Sequence, residues 1–436
     1  MSFVWRNPGS WASRALFLLA LTAGLALPAS RAVSHDSPIQ PTTSLTASDP
    51  EPPGRSGDPA LQRRHVWAVI EQLTRTIPGE TRPLFQSWYG EDTVFATSSS
   101  DQTLRGIQGF SRVSADARSG TLPSSSFQPG DIPVLTYTLY NDAAYRHIRH
   151  NALQRRTELD RLRASGAKDL TIQNERSIEA FPTDAIIIKT AWWPVAPRGT
   201  TVLPVWDPEH NPARQGGNPY TSWQRVVAVD PASATRPLAT AHVDFADRSF
   251  PRAHRVNLDA FDYIRVDAQL AQRLMRDRAA RKAAIIAIGR DLRDGDYLAL
   301  VSADIAIREI GNWVWAAFWW HDQPDRGPFA LDRPQGLTGA WRNYLLQVAF
   351  DTDRPAASDG GPHVCFDPWL EGRLPDGGHG GGTLSNCVAC HQRASYPPID
   401  FLPVTRGAAD VARDPAFSPG RLRTDFIWSI ALQARP

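Results

Sequence analysis

Cysteine is nearly absent from this chain of 436 residues, and two of its three cysteines fall within five positions, in Cys387-Val388-Ala389-Cys390-His391. The setting makes the string decisive. Beyond Asp351 the sequence is rich in Pro, Gly and Asp and holds no long periodic element before Asp425. A segment of that composition buries too little apolar side chain to offset the entropy of ordering its backbone. Whatever the two thiols and the imidazole bind is therefore the natural centre of the C-terminal region.

The spacing says what that is. Two thiols three positions apart reach the two vinyl groups of one porphyrin, and the adjacent imidazole turns inward to the iron, so C-x-x-C-H reads as a c-type haem attachment site. Cys387 and Cys390 would carry the thioethers of one covalent haem c. His391 would be the proximal iron ligand, its other ring nitrogen fixed by a hydrogen bond. Two other chemistries use the same residues. A Cys387–Cys390 disulfide suits an oxidising compartment, although the βαβ pattern of thioredoxin-like sites is missing. A zinc ion on these thiolates would need Cys365 or His363 as a further ligand.

The compartment is legible at the other end. Arg6 and Arg14, an apolar run from Ala15 to Leu27, and small residues near Ser30 and Ala32 form the layout of a cleavable signal peptide over residues 1–32. The apolar run is shorter than the roughly 20 residues that a membrane helix needs, and no later stretch is long and apolar enough, so no membrane span is expected in the mature chain. Export to the periplasm is the expectation. Residues 33–60, with Pro38, Pro41, Pro50, Pro52 and Pro53, read as a disordered linker. The formal net charge is only +2, which points to no nucleic-acid partner.

Between residues 61 and 350 the pattern mixes periods. Asn141 or Asp142 caps an expected helix to about Ser165, and a second is expected from about Asp259 to Leu292 with a possible break near Arg281. Runs at Ala185–Trp193, Thr200–Trp206, Trp223–Val229 and Tyr297–Ile307 read as strands, and Thr424 or Asp425 opens a last helix. Helices and strands do not alternate regularly, so the class is α+β: a mixed body over 61–350 and a loop-rich haem-binding region over 351–436.

At the C-x-x-C-H string the chain resembles the c-type cytochrome superfamily. Its body, with Ile188-Lys189-Thr190-Ala191-Trp192-Trp193 and Asn312-Trp313-Val314-Trp315-Ala316-Ala317-Phe318-Trp319-Trp320-His321, resembles that of exported monohaem proteins of proteobacteria. The resemblance implies electron transfer with a periplasmic redox partner protein or a small-molecule oxidant or reductant. It departs from a standard class I domain, in which a distal Met follows the attachment site. Here no Met follows His391, and the only methionines are Met1 and Met275. As a strand, Asn312–His321 would put Trp313, Trp315, Ala317, Trp319 and His321 on one face. That makes His321 either a distal iron ligand or a hydrogen-bonded core histidine. His379, in a run of glycines, is either a second candidate ligand or part of a surface loop. His147 and His150 read as a solvated basic face, and Cys365 as a small buried side chain. An open iron site would instead imply a haem enzyme acting on peroxide, oxygen or nitrogen oxides, or a haem-based sensor.

Overall fold

The computed structural model describes residues 57–97, 134–165, 176–207, 223–232, 239–357, 359–371, 384–399 and 406–436. The expected signal peptide, residues 33–56 of the expected linker, and His379 lie outside them.

Apolar, β-branched and aromatic runs build the main sheet. Its strands are β1 (Tyr89–Gly90), β2 (Leu135–Tyr140), β3 (Ile186–Val195), β8 (Tyr263–Arg265), β9 (Tyr297–Ile307), β10 (Val314–Trp320) and β11 (Tyr344–Ala349). The order is β1-β2-β3-β9-β10-β11, all antiparallel, and β8 pairs with the Tyr297 end of β9 beside β10. A second sheet runs β4 (Thr201–Val205), β5 (Arg225–Val229), β7 (Arg248–Val256), β6 (Thr240–Phe245). The β6–β7 hairpin turns on Ala246 and Asp247, both left-handed, as a two-residue hairpin demands. Strand β12 (Ser395–Tyr396) pairs with β13 (Leu422–Arg423).

Strands β10 and β11 are buried along their whole length, so both faces of the main sheet are covered. Helices α1 (Pro59–Leu73) and α6 (Arg278–Ile288) pack on one side, where α1 meets β11 and α6 meets β3. On the other side Tyr140, Ile187, Ala306, Trp313 and Trp315 share a core with Cys365, Cys387, Val388, Leu422, Ile427 and Ile430. The fold is α+β, and the C-terminal region is an integral part of this core.

The remaining helices are short: α2 (Glu91–Val94), α3 (Asp142–His150), α4 (Arg156–Ala164), α5 (Ala268–Leu274), α7 (Cys387–His391) and α8 (Trp428–Gln433). Asn141 caps α3 as expected, its side chain accepting from the Ala144 N–H. The single helix expected to Ser165 is instead two. Ala152 turns left-handed (φ 51°), Leu153 N–H reaches back to Ile148 O and Ala152 N–H to Arg149 O, which is a Schellman stop. Arg156 N–H then bonds Arg435 O from the far end of the chain at the first residue of α4. The expected 259–292 helix also divides. Leu258–Ala260 is a 3-10 turn, β8 comes next, and α5 and α6 start separately on Asp267 and Asp277, whose carboxylates accept from Leu270 N–H and Ala280 N–H. The break falls at Met275–Asp277, short of Arg281. Among the described residues no helix is long and apolar enough to cross a membrane.

Candidate functional site

The C-x-x-C-H string forms α7, and buried Asn386 holds its start. The Asn386 side-chain oxygen accepts from Ala389 N–H (3.1 Å), and its amide donates to the carbonyls of Asp351 (3.2 Å) and His363 (3.1 Å). A strand-like clip reinforces it: Cys365 N–H bonds Ser385 O and Cys387 N–H bonds Cys365 O. His363 is itself tied through Nε2 to Val348 O on β11 (2.7 Å).

One turn of helix separates Cys387 from Cys390, which puts the two thiols on one side of α7. Cys387 Sγ lies 3.6 Å from Cys365 Sγ and donates to Cys365 O at 3.3 Å. That contact, with burial, pushes the Cys387 thiol well up, and burial pushes Cys390 up to about 11. Both sulfurs are held as thiols here. A redox-active dithiol needs the opposite, a depressed pKa that supplies thiolate. Among the described residues no three His, Cys, Asp or Glu side chains converge as a metal-ion cage.

His391 ends α7 with its Nδ1 2.8 Å from Phe426 O. A carbonyl only accepts, so Nδ1 carries the proton and Nε2 carries the lone pair, the tautomer that a metal ligand needs. Burial lowers the His391 pKa to about 4, which keeps the ring neutral at neutral pH. The Trp315 ring packs on the imidazole at 4.0 Å between centroids. The carbonyl that orients the ring comes from a strained turn. Asp425 (φ 45°) and Phe426 (φ 70°) are consecutive left-handed residues, each costing roughly 1–3 kcal/mol. Asp425 is locked there by Arg308 Nε (3.0 Å) and Phe181 N–H (2.9 Å).

The sheet beneath carries charge. Residues directly opposite across strands share a face, and Thr138, Lys189, Asp304, Ala317 and Gln347 form one such row. The row beside it holds Trp315, and the row on the other side holds Ser302 and Trp319. Lys189 and Asp304 therefore lie two residues, roughly 7 Å, along the strands from the indole that packs on His391. Phe366 N–H donates to Gln347 Oε1 (2.9 Å), which seats the segment carrying Cys365 and Asp367 over the charged row. Lys189 sits on an interior strand yet remains exposed, and Asp304, Cys390 and His391 are each partly open to solvent. Paired thiols and a lone pair at Nε2 fit a c-type haem, provided the Cys387 side chain turns away from Cys365.

The other sequence candidates are elsewhere. His321 comes directly after the last residue of β10, six positions from Trp315 and so roughly 20 Å along the strand. It is buried, and its Nδ1 accepts from Gln323 N–H (2.9 Å). Met275 packs in the helical layer, where its sulfur accepts from Leu292 N–H. Neither is brought to His391. His147 is half-buried rather than freely solvated, bonded to Glu179 O and packed on Phe181, while His150 is exposed. Cys365 is fully buried and also touches the motif. Sequence reasoning overlooked Lys189, Asp304, Asn386 and Phe426. A charge inside an apolar strand, as in Ile-Ile-Ile-Lys189 and Ser-Ala-Asp304-Ile, was the available signal for the first two. No protein-family model matches this chain, and neither does any curated protein or solved structure.

Proposed function

We propose that this protein is an exported c-type cytochrome that holds one haem c by thioethers at Cys387 and Cys390, with His391 as proximal ligand, and transfers electrons with a periplasmic protein or small-molecule partner. The observation that carries the reading is the Nδ1–H bond of His391 to Phe426 O, which leaves Nε2 free within the C-x-x-C-H string. When bound, the haem supplies a one-electron ferric/ferrous couple. The rest is done by the chain. The two thiols anchor the group, His391 ligates it, Phe426 fixes the tautomer and raises the basicity of the ligating nitrogen, and Trp315 excludes water from one face of the imidazole.

A second reading, a haem enzyme acting on peroxide, oxygen or nitrogen oxides, draws on one observation. His321 and Met275 are both engaged away from His391, so neither supplies a sixth ligand. Protein produced with haem-attachment machinery and exported should keep its haem through acid-acetone extraction, and mass spectrometry should find a mature N-terminus near Val33. A colourless protein under those conditions sinks the proposal. His321→Ala should leave the ferric spectrum unchanged. Rapid carbon monoxide binding to the ferrous form would move preference to the enzyme reading.

A further inference from the structure

Three carboxyl groups lie close together near Cys387, and among the described residues Lys189 is the ammonium that acts on two of them. Asp304 comes from the central strand β9. Asp367 and Glu371 come from the segment that Gln347 seats above it. Asp304 Oδ1 and Asp367 Oδ2 are shielded from solvent and accept no hydrogen bond of good geometry among the described residues. The other Asp367 oxygen accepts from the N–H groups of Trp369 (2.7 Å) and Leu370 (3.2 Å). Glu371 accepts from Asp367 N–H and lies against Asp304. Ser302, one row along from Asp304, lies beside Asp367, and Lys189 stands directly opposite Asp304 in register.

Asp367 is fully buried and Asp304 and Glu371 are partly so, and three such carboxylates facing one cation among the described residues do not all ionise, because each charge taken from water is costly and the carboxylates repel one another. The cluster therefore retains at least one proton near neutral pH. Burial, then the Glu371 charge, raises Asp304 and Asp367 well above the ordinary carboxylate range, and burial raises Glu371. The same groups act electrostatically on the attachment site. Asp304 and Glu371 both raise the Cys387 thiol, Glu371 raises Cys390, and Lys189 lowers Cys390 and His391. The charges facing the cluster are thus Lys189 from β3, Cys365 from the overlying segment, and Cys387, Cys390 and His391 from α7, with Arg393 beyond them held by Asp414.

We infer that Asp304, Asp367 and Glu371 form a redox-linked proton-binding site, which takes up a proton from water when the haem at Cys387, Cys390 and His391 gains an electron from a one-electron donor. One carboxylate gains the proton as one electron arrives, so the added negative charge is neutralised inside the protein; oxidation returns both. The inference rests on the proposed haem and adds a function for residues that the attachment chemistry leaves unused.

The test is the midpoint potential of the haem-loaded protein, followed spectroscopically between about pH 5 and 9. At full coupling the ferrous/ferric equilibrium shifts about tenfold per pH unit, which is 59 mV for a one-electron couple. The wild type should show a substantial part of that slope. Asp304→Asn combined with Glu371→Gln should reduce it to under about twofold per pH unit, while Asp262→Asn, which removes the carboxyl paired with Gln86, should leave it intact. Because the double variant could fail to fold, reduced-minus-oxidised infrared difference spectra of the wild type and of Asp304→Asn alone give a second readout. A protonated-carboxyl band should grow on reduction in the wild type and weaken in the variant. A pH-independent wild-type potential, or a slope that survives both substitutions and so belongs to other groups, overturns the inference. A chain that takes up no haem overturns it together with the proposed function, and a pyridine haemochrome spectrum separates that failure from failure of the proton site alone.

Discussion

Asp262 shows how the burial of one residue writes pH dependence into this protein. Its carboxylate accepts a single side-chain hydrogen bond, from Gln86 Nε2 at 2.8 Å, and burial raises its pKa to about 7. The folded state thus holds a proton that the unfolded chain releases near pH 4. Between those values the native state binds more protons than the unfolded state, so stability falls as pH rises. At 1.36 kcal/mol per pKa unit the loss at neutral pH reaches roughly 4 kcal/mol. Asp262→Asn keeps an acceptor for Gln86 and removes the titration. Urea unfolding at pH 5 and pH 8 should give the variant a smaller difference between the two than the wild type, with the gain at pH 8. Equal pH dependence in both proteins would refute the assignment. The raised carboxyls at Asp304, Asp367 and Glu371 act with the same sign.

Among the secondary-structure elements, α7 is a five-residue helix too short to persist alone. Its cap and tertiary bonds hold it, and the Asn386 side chain supplies one cap bond and two tertiary bonds. Asn386→Ala removes the cap and strands the Asp351 and His363 carbonyls, a loss of about 1–3 kcal/mol. Asn386→Ser keeps a capping oxygen but does not reach both carbonyls, so its melting temperature should fall between those of wild type and Asn386→Ala. Identical melting for all three would show that the clip through Cys365 suffices. The end of α3 is a comparable case. The helical period runs on past His150, and Ala152 adopts a left-handed conformation that the residue itself disfavours. Beyond that stop Arg156 N–H bonds Arg435 O, at the other end of the chain, and no local pattern announces the contact.

Across the entire chain, the composition shift at Asp351 looks like a domain boundary, yet the packing crosses it. Trp315 is 3% exposed and Tyr140 and Trp313 are fully buried, in a cluster completed by Cys365, Val388, Leu422 and Ile430. A chain ending at Phe350 would bare this face, with each large apolar side chain worth about 1.5–3 kcal/mol of lost burial. It should aggregate, or lose near-ultraviolet circular dichroism and cooperative unfolding. A monomeric truncated chain that melts cooperatively would show that the body is an independent domain.

Residue type and local period were enough to read the α+β class and the long strands. Tyr297–Ile307 is a strand at the expected limits, and the Ala185–Trp193 run shifts only to Ile186–Val195. The alternation along β10 also put Trp315 and His321 on one face, but a period says nothing about which end of a strand meets α7. Long-range packing was needed to establish that Phe426 orients His391, that Cys365 meets Cys387, and that Lys189 and Asp304 lie opposite one another beneath the motif. Each pairing joins positions far apart in the chain, through strand register or a strained turn. Those are set by the summed burial of the entire sheet rather than by any residue's own preference.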